Sequence, residues 1–124
     1  MSDQSITPGR TTISLDVILT IARLTTLEVP GVSRMSSVPA RRFKKMLLYR
    51  QEQDGLHVEV EDDLVYADIY VVLESDVNIR EVGRNIQITG ARAITEMIGM
   101  QVGFVNVHVE DIDYYKEPEE SEIQ

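Results

Sequence analysis

The chain has 124 residues, 43 % of them hydrophobic and 27 % charged, with 12 basic residues against 21 acidic ones. That is single-domain size, enough to bury about two-thirds of the unfolded surface in one core. There is no cysteine, which excludes a disulfide framework and any Cys-ligated zinc or iron–sulfur site, and the net charge of -9 argues against broad nucleic-acid binding, because phosphate contacts need a basic surface.

No N-terminal stretch joins basic residues to an apolar core, and no apolar run approaches the roughly 20 residues that cross a bilayer, so neither a leader nor a helical span is expected. The charge is unevenly spread. Residues 34 to 50 carry six basic residues and no acid, whereas residues 51 to 124 carry four basic and eighteen acidic ones. An acidic body with one local basic segment is dipolar by sequence.

Residues 1 to 10, small and polar with Pro8 and Gly9, read as a flexible arm. Thr11 to Ile13 is a candidate short edge strand. Ser14 is placed to cap a helix, with Asp16 in the first turn where negative charge is favoured. Val17, Ile18, Ile21, Ala22 and Thr25 then recur at helical spacing up to about Leu27. The residue before a proline is pushed out of helical geometry, so Pro30 ends the helix before Val29. Val32 to Val38 reads as either a short strand or an irregular crossing. The basic segment PARRFKKMLLYR, residues 39 to 50, is a marginal helical turn or a loop, and Gln51 to Gly55 is a polar turn.

Residues 56 to 73, LHVEVEDDLVYADIYVVL, alternate polar and apolar on both sides of Asp62 and Asp63, the pattern of a hairpin about a two-residue turn. That turn pairs Glu61 with Leu64, Val58 with Ala67, Glu59 with Tyr66 and His57 with Asp68. Val58, Val60, Val65, Ala67, Ile69, Val71 and Leu73 then share a dry face, and His57, Glu59, Glu61, Tyr66, Asp68 and Tyr70 a wet one. A second helix follows from about Ile79 to Ile98, with Ile79, Val82, Ile86, Gly90, Ala93 and Met97 as its buried stripe and Gly99 as its C-terminal cap. Gly83 and Gly90 inside it each cost about 1 kcal/mol relative to alanine, which points to close packing at those positions. Met100 to Ile112 alternates again, with Val105, Val107 and Val109 inward and Phe104, Asn106, His108 and Glu110 outward. The acidic, apolar-poor residues 115 to 124 read as a disordered tail.

The predicted fold is therefore α+β: a two-layer sandwich in which two helices cover one face of a small, mainly antiparallel sheet, in the order α-β-β-β-α-β. One domain spans residues 11 to 114.

Three blocks resemble the alkaline shock protein family. ISLDVILTIARLTTLEVPGV, residues 13 to 32, is similar to the opening helix of that family with its Ile-Ala pair and closing Glu-Val-Pro-Gly-Val. Residues 56 to 79 look like its hairpin running into an Asn-Ile helix start, and EMIGMQVGFVNVHVEDI, residues 96 to 112, like its final strand after the helix that carries Gln87. The resemblance implies a non-enzymatic cytoplasmic protein linked to envelope stress, able to self-associate, with relatives held at the inner face of the membrane by a separate anchor protein. It implies no cofactor and no catalytic residue. Two departures stand out: VPARRFKKMLLYR occupies a loop that is glycine-rich in the family, and Gly90 stands where valine is usual.

Three candidate sites remain. Arg41, Arg42, Lys44 and Lys45 form a segment suited to an acidic partner, an acidic patch of a second copy, or anionic lipid, where each basic residue contributes about 1 kcal/mol; the same segment is what a nucleic-acid-binding module would use. Tyr66, Tyr70 and Phe104 on the wet face suit a protein interface, because the neighbouring Glu59, Glu61 and Asp68 would repel phosphate. His57 and His108 with nearby carboxylates can be drawn as a metal site, but solvated strand faces carry such residues routinely.

Overall fold

In the computed structural model, which describes residues 7–37, 50–53 and 55–114, the fold is built around the hairpin. Strand β3 (Leu56–Glu61) and strand β4 (Leu64–Glu74) pair antiparallel in the expected register, with Glu61 opposite Leu64, Val58 opposite Ala67 and His57 opposite Asp68. Asp62 and Asp63 both take positive φ, 54° and 65°, the conformation a two-residue turn needs to match the twist of its strands. Short polar side chains tolerate it better than branched ones.

Strand β4 is the centre of a five-stranded sheet. One of its edges is shared: β3 takes the first half, and strand β1 (Val32–Met35) takes the second, antiparallel, with Val32 opposite Leu73 and Met35 opposite Val71. Its other edge is covered along its full length by β5 (Gln101–Asp113), which runs parallel. A parallel neighbour needs a crossover, and the second helix supplies it. Strand β2 (Arg50–Gln53) completes the sheet beyond β3, antiparallel.

That last strand replaces the polar turn expected over Gln51 to Gly55. Its sequence, RQEQ, has no apolar alternation, so only pairing to β3 reveals it. The Asp54-Gly55 dipeptide was the available signal in the sequence. Gly55 has φ 83°, and a Cβ there would overlap the carbonyl oxygens of Ser36 and Tyr70; its own carbonyl accepts from the Tyr70 amide at 2.8 Å. The strand expected at Thr11 to Ile13 is absent: residues 7–14 are exposed and carry no regular structure, since this polar stretch offers no face to bury. Residues 1–6 and 115–124, and with them the expected tail, lie outside the described residues.

Both helices lie on the dry face. Helix α1 (Leu15–Leu27) buries Ile18, Leu19, Ala22 and Thr26, a stripe displaced from the expected one. Val17 is exposed, and Thr25 turns its hydroxyl back to the Ile21 carbonyl at 2.9 Å. Ser14 holds the cap position, but its side chain makes no capping bond.

Helix α2 (Ile79–Ala93) starts at Asn78, whose Oδ1 accepts from the Glu81 amide at 3.0 Å. It continues as a π-helical turn, Ile94–Ile98, closed by Gly99 at φ 81°. Val82, Ile86, Gly90 and Ala93 face the sheet as expected, whereas Met97 is 67 % exposed and Ile94 is buried in its place. Ile94, four residues after Gly90, continues the same helical stripe, and the wider π turn that begins there adds a residue to the winding and rotates Met97 away from it. Ile79, in the first turn, is also exposed. Neither Gly83 nor Gly90 is explained by packing: a Cβ at either would meet nothing within 4 Å. The core between the layers joins Ile18, Leu19 and Ala22 of α1 and Val82, Ile86 and Ile94 of the second helix to Val58, Val65, Ala67, Ile69, Val71 and Val105 of the sheet.

Candidate functional site

The face of the sheet away from the helices carries the chemistry. Its placement rests on a bulge in β5. Val65 pairs with Val102, but Tyr66 pairs with Phe104, so Gly103 is an extra residue between them. A bulge shifts the alternation by one; Val102 and Val105 both remain on the helix side, and Phe104 stands beside Tyr66. The two rings are 4.9 Å apart between centroids at 58°, a tilted pair that the aromatic quadrupoles favour. Tyr66 lies directly over Gly103, where any Cβ would overlap its ring. Phe104 is 44 % exposed, and Glu59 is opposite Tyr66 on the neighbouring strand.

Next along the same face, Asp68 Oδ1 accepts from Asn106 Nδ2 at 3.2 Å and lies 2.9 Å from His108 Nε2. The His108 ring stacks on Tyr70, 4.4 Å between centroids and 15° from parallel. His57 Nε2 is 3.0 Å from Glu59 Oε2.

Two expectations need correction. Tyr70 is not exposed but 1 % accessible, and His57 is 2 % accessible. Tyr70 sits in the middle of the central strand, its backbone bonded on one side to Gly55 and Ser36 and its ring covered by His108. Alternation assigns a residue to a face, not to solvent. Of the three aromatic candidates, the structure therefore brings Tyr66 and Phe104 together at the surface and places Tyr70 below it. The two histidines lie on opposite sides of β4, each bonded to a different carboxylate, and among the described residues no group of three or more His, Cys, Asp or Glu is placed to hold a metal ion.

Arg41, Arg42, Lys44 and Lys45 lie outside the described residues. Arg34, counted by sequence with that basic segment, is committed elsewhere. Its Nε and Nη2 donate to Asp113 at 3.0 and 3.1 Å, and the Ser33 hydroxyl donates to the same carboxylate at 2.6 Å. The Arg34 hydrogen bond, with help from Ser33, holds the Asp113 carboxyl below its ordinary range, and Asp113 in turn raises the Arg34 guanidinium above its own. The contact ties the end of β5 to β1 across β4. Sequence reasoning missed it because the partners are 79 residues apart.

No helix among the described residues is long and apolar enough to cross a membrane. Among curated proteins, the chain is 35 % identical over 112 residues to the uncharacterized protein Spy1535 of Streptococcus pyogenes, covering 89 % of this chain and 84 % of that one. It is 26 % identical over 119 residues to YqhY of Bacillus subtilis, covering 93 % and 85 %. Among solved structures, the zinc form of a variant MamM CTD superposes with a TM-score of 0.47 at 11 % identity, covering 82 % of this chain and 87 % of that one, a distant likeness of layout. The model of the ASP23 family, described by its cell envelope-related function, matches residues 3–114. With the fold, the hairpin and that match in agreement, the chain belongs to the alkaline shock protein (ASP23) family, a family with a cell envelope-related function.

Proposed function

We propose that this domain is a non-enzymatic scaffold or adaptor that associates with further copies of itself and docks to a partner at the cytoplasmic side of the cell envelope. The observation that carries the reading is the Tyr66–Phe104 pair. Two aromatic rings stand at the surface on the face opposite the helices, over a glycine that leaves Tyr66 room to lie flat. Rigid aromatic side chains ringed by polar groups are what interface anchors are made of. The acids beside them, Glu59 and Asp68, favour a protein partner with basic groups over nucleic acid. The segment with Arg41, Arg42, Lys44 and Lys45 has the matching charge, so a second copy is itself a complementary partner, and anionic lipid or a membrane-anchoring protein are further ones.

Sedimentation across protein concentration, at low and high salt, tests this reading. The intact chain is expected to associate, and a variant with the four basic residues replaced by alanine to lose association at low salt. Phe104→Ser is expected to weaken it by about tenfold or more, the effect of removing an interface anchor. A strict monomer at every concentration and salt would overturn self-association. Association unchanged in both variants would overturn the surfaces assigned to it.

A further inference from the structure

The outer edge of β5 and helix α2 enclose a second surface, separate from the aromatic pair. A groove of about 620 Å³ runs between them, lined by Ile79, Arg80, Gly83, Arg84, Gln87 and the strand residues Val107 and Val109. Its floor is apolar: both valines are part-buried, Ile79 is 45 % exposed, and Gly83 contributes no side chain. At one end Gln87 Nε2 donates to the Val105 carbonyl at 2.9 Å, so the helix already reaches across to the edge of the strand there. Arg80 and Arg84 are four residues apart and therefore on one helix face; both are exposed, and neither takes part in an ion pair with the described residues. They are two of only four basic residues in the acidic stretch 51 to 124. Two guanidinium groups beside a trough floored by two valines, and a strand edge that no strand among the described residues pairs, form a site for an extended acidic segment, since exposed strand edges invite pairing.

The chain supplies such a segment next to the Ile79 end. Helix α2 runs antiparallel to β5, so Ile79 and Arg80 lie at the end of the sheet where β5 finishes at Asp113. Ten residues follow Tyr114, YKEPEESEIQ, with Glu117, Glu119, Glu120 and Glu122 ahead of one apolar residue, Ile123. Fully extended, ten residues reach about 33 Å. The groove spans Ile79 to Gln87, about 12 Å of helix at 1.5 Å per residue. The reach is ample for the chain to reverse after Tyr114 and lie along it. We propose that the groove between α2 and β5 is the docking site of the acidic C-terminal segment of the same chain, its glutamates meeting Arg80 and Arg84 and Ile123 lying on the Val107–Val109 floor. Docked there, the segment shields the β5 edge from pairing with other chains. This goes beyond the scaffold reading and does not depend on it.

The test compares backbone amide NMR spectra of the intact chain with two variants of the full-length protein: Glu117→Gln/Glu119→Gln/Glu120→Gln/Glu122→Gln, and Arg80→Glu/Arg84→Glu. A third form, ended after Tyr114, controls for the segment as a whole. The expected result is that all three move the resonances of Val107 and Val109 in the same direction, at protein concentrations where the intact chain is monomeric. Raising the salt of the intact protein should move them partway along the same path. If neutralising the glutamates or ending the chain leaves Val107 and Val109 in place, the proposal fails. Movements that grow with protein concentration would also overturn it, by showing that the groove takes the segment, or the strand edge, of a second copy.

Discussion

Gly90 is the position where sequence and structure disagree most usefully. A glycine inside a helix costs about 1 kcal/mol relative to alanine, and its burial suggests a close approach that excludes a side chain. Yet an alanine Cβ would meet nothing within 4 Å. Two terms that usually oppose each other in a buried glycine are therefore both small. No overlap arises to cost the 1–3 kcal/mol typical of overpacking, and little new dispersion contact is formed. The backbone term decides: the unfolded chain loses freedom and the folded one loses nothing. Gly90→Ala is expected to stabilise the protein by about 1 kcal/mol. At about 2.1 cal/mol/K of unfolding entropy per residue, that raises Tm by roughly 4 °C for a domain of this size. Urea unfolding followed by circular dichroism checks it, with the midpoint raised and the slope unchanged. A lower midpoint would refute the reasoning, because it would mean that a neighbour occupies the space above Gly90 in solution.

Other substitutions probe the site and its supports. Gly103→Ala forces the Tyr66 ring off the bulge and is expected to destabilise by about 1–3 kcal/mol, with the near-ultraviolet signal of tyrosine changing in step. Gly55→Ala combines φ 83° with overlap of two carbonyl oxygens; the left-handed strain alone is about 1–2 kcal/mol, so a larger loss than at Gly103 is expected in the same urea assay. Asp113→Asn removes the anion that binds Arg34 and Ser33. Because the folded-state carboxyl titrates below its ordinary range, its contribution is present above the unfolded value of about 3.9 and is lost as pH falls through the folded one. The gap between wild type and Asp113→Asn should therefore be full at neutral pH, close in acid and shrink with salt; a gap that persists at the lowest pH would refute the ion pair as its source.

Much of this molecule is written locally. The Asp62-Asp63 turn flanked by strict alternation set the hairpin register residue by residue, since a slip by one would turn Val58 and Val60 away from the face that carries Val65, Ala67 and Ile69. Pro30 marked the end of the first helix through backbone chemistry that acts on the residue before it. The Tyr66 and Phe104 faces followed from the same alternation. Strand β2 did not, because Arg50–Gln53 is polar throughout and becomes a strand only when β3 offers its edge. The π turn that exposes Met97 is encoded by no helical period. Alternation placed Tyr70 on the correct face, yet its burial is a property of the assembled sheet, in which the His108 ring stacks on it. The sequence by itself determined which side of each element is apolar, where the chain turns and what charge each segment carries, since these depend on neighbours in the chain. Only the tertiary structure decided that Tyr66 and Phe104 touch, that Arg34 is held by Asp113 and that Arg80 and Arg84 border an open groove, because those arrangements depend on strands and helices brought together from distant parts of the chain.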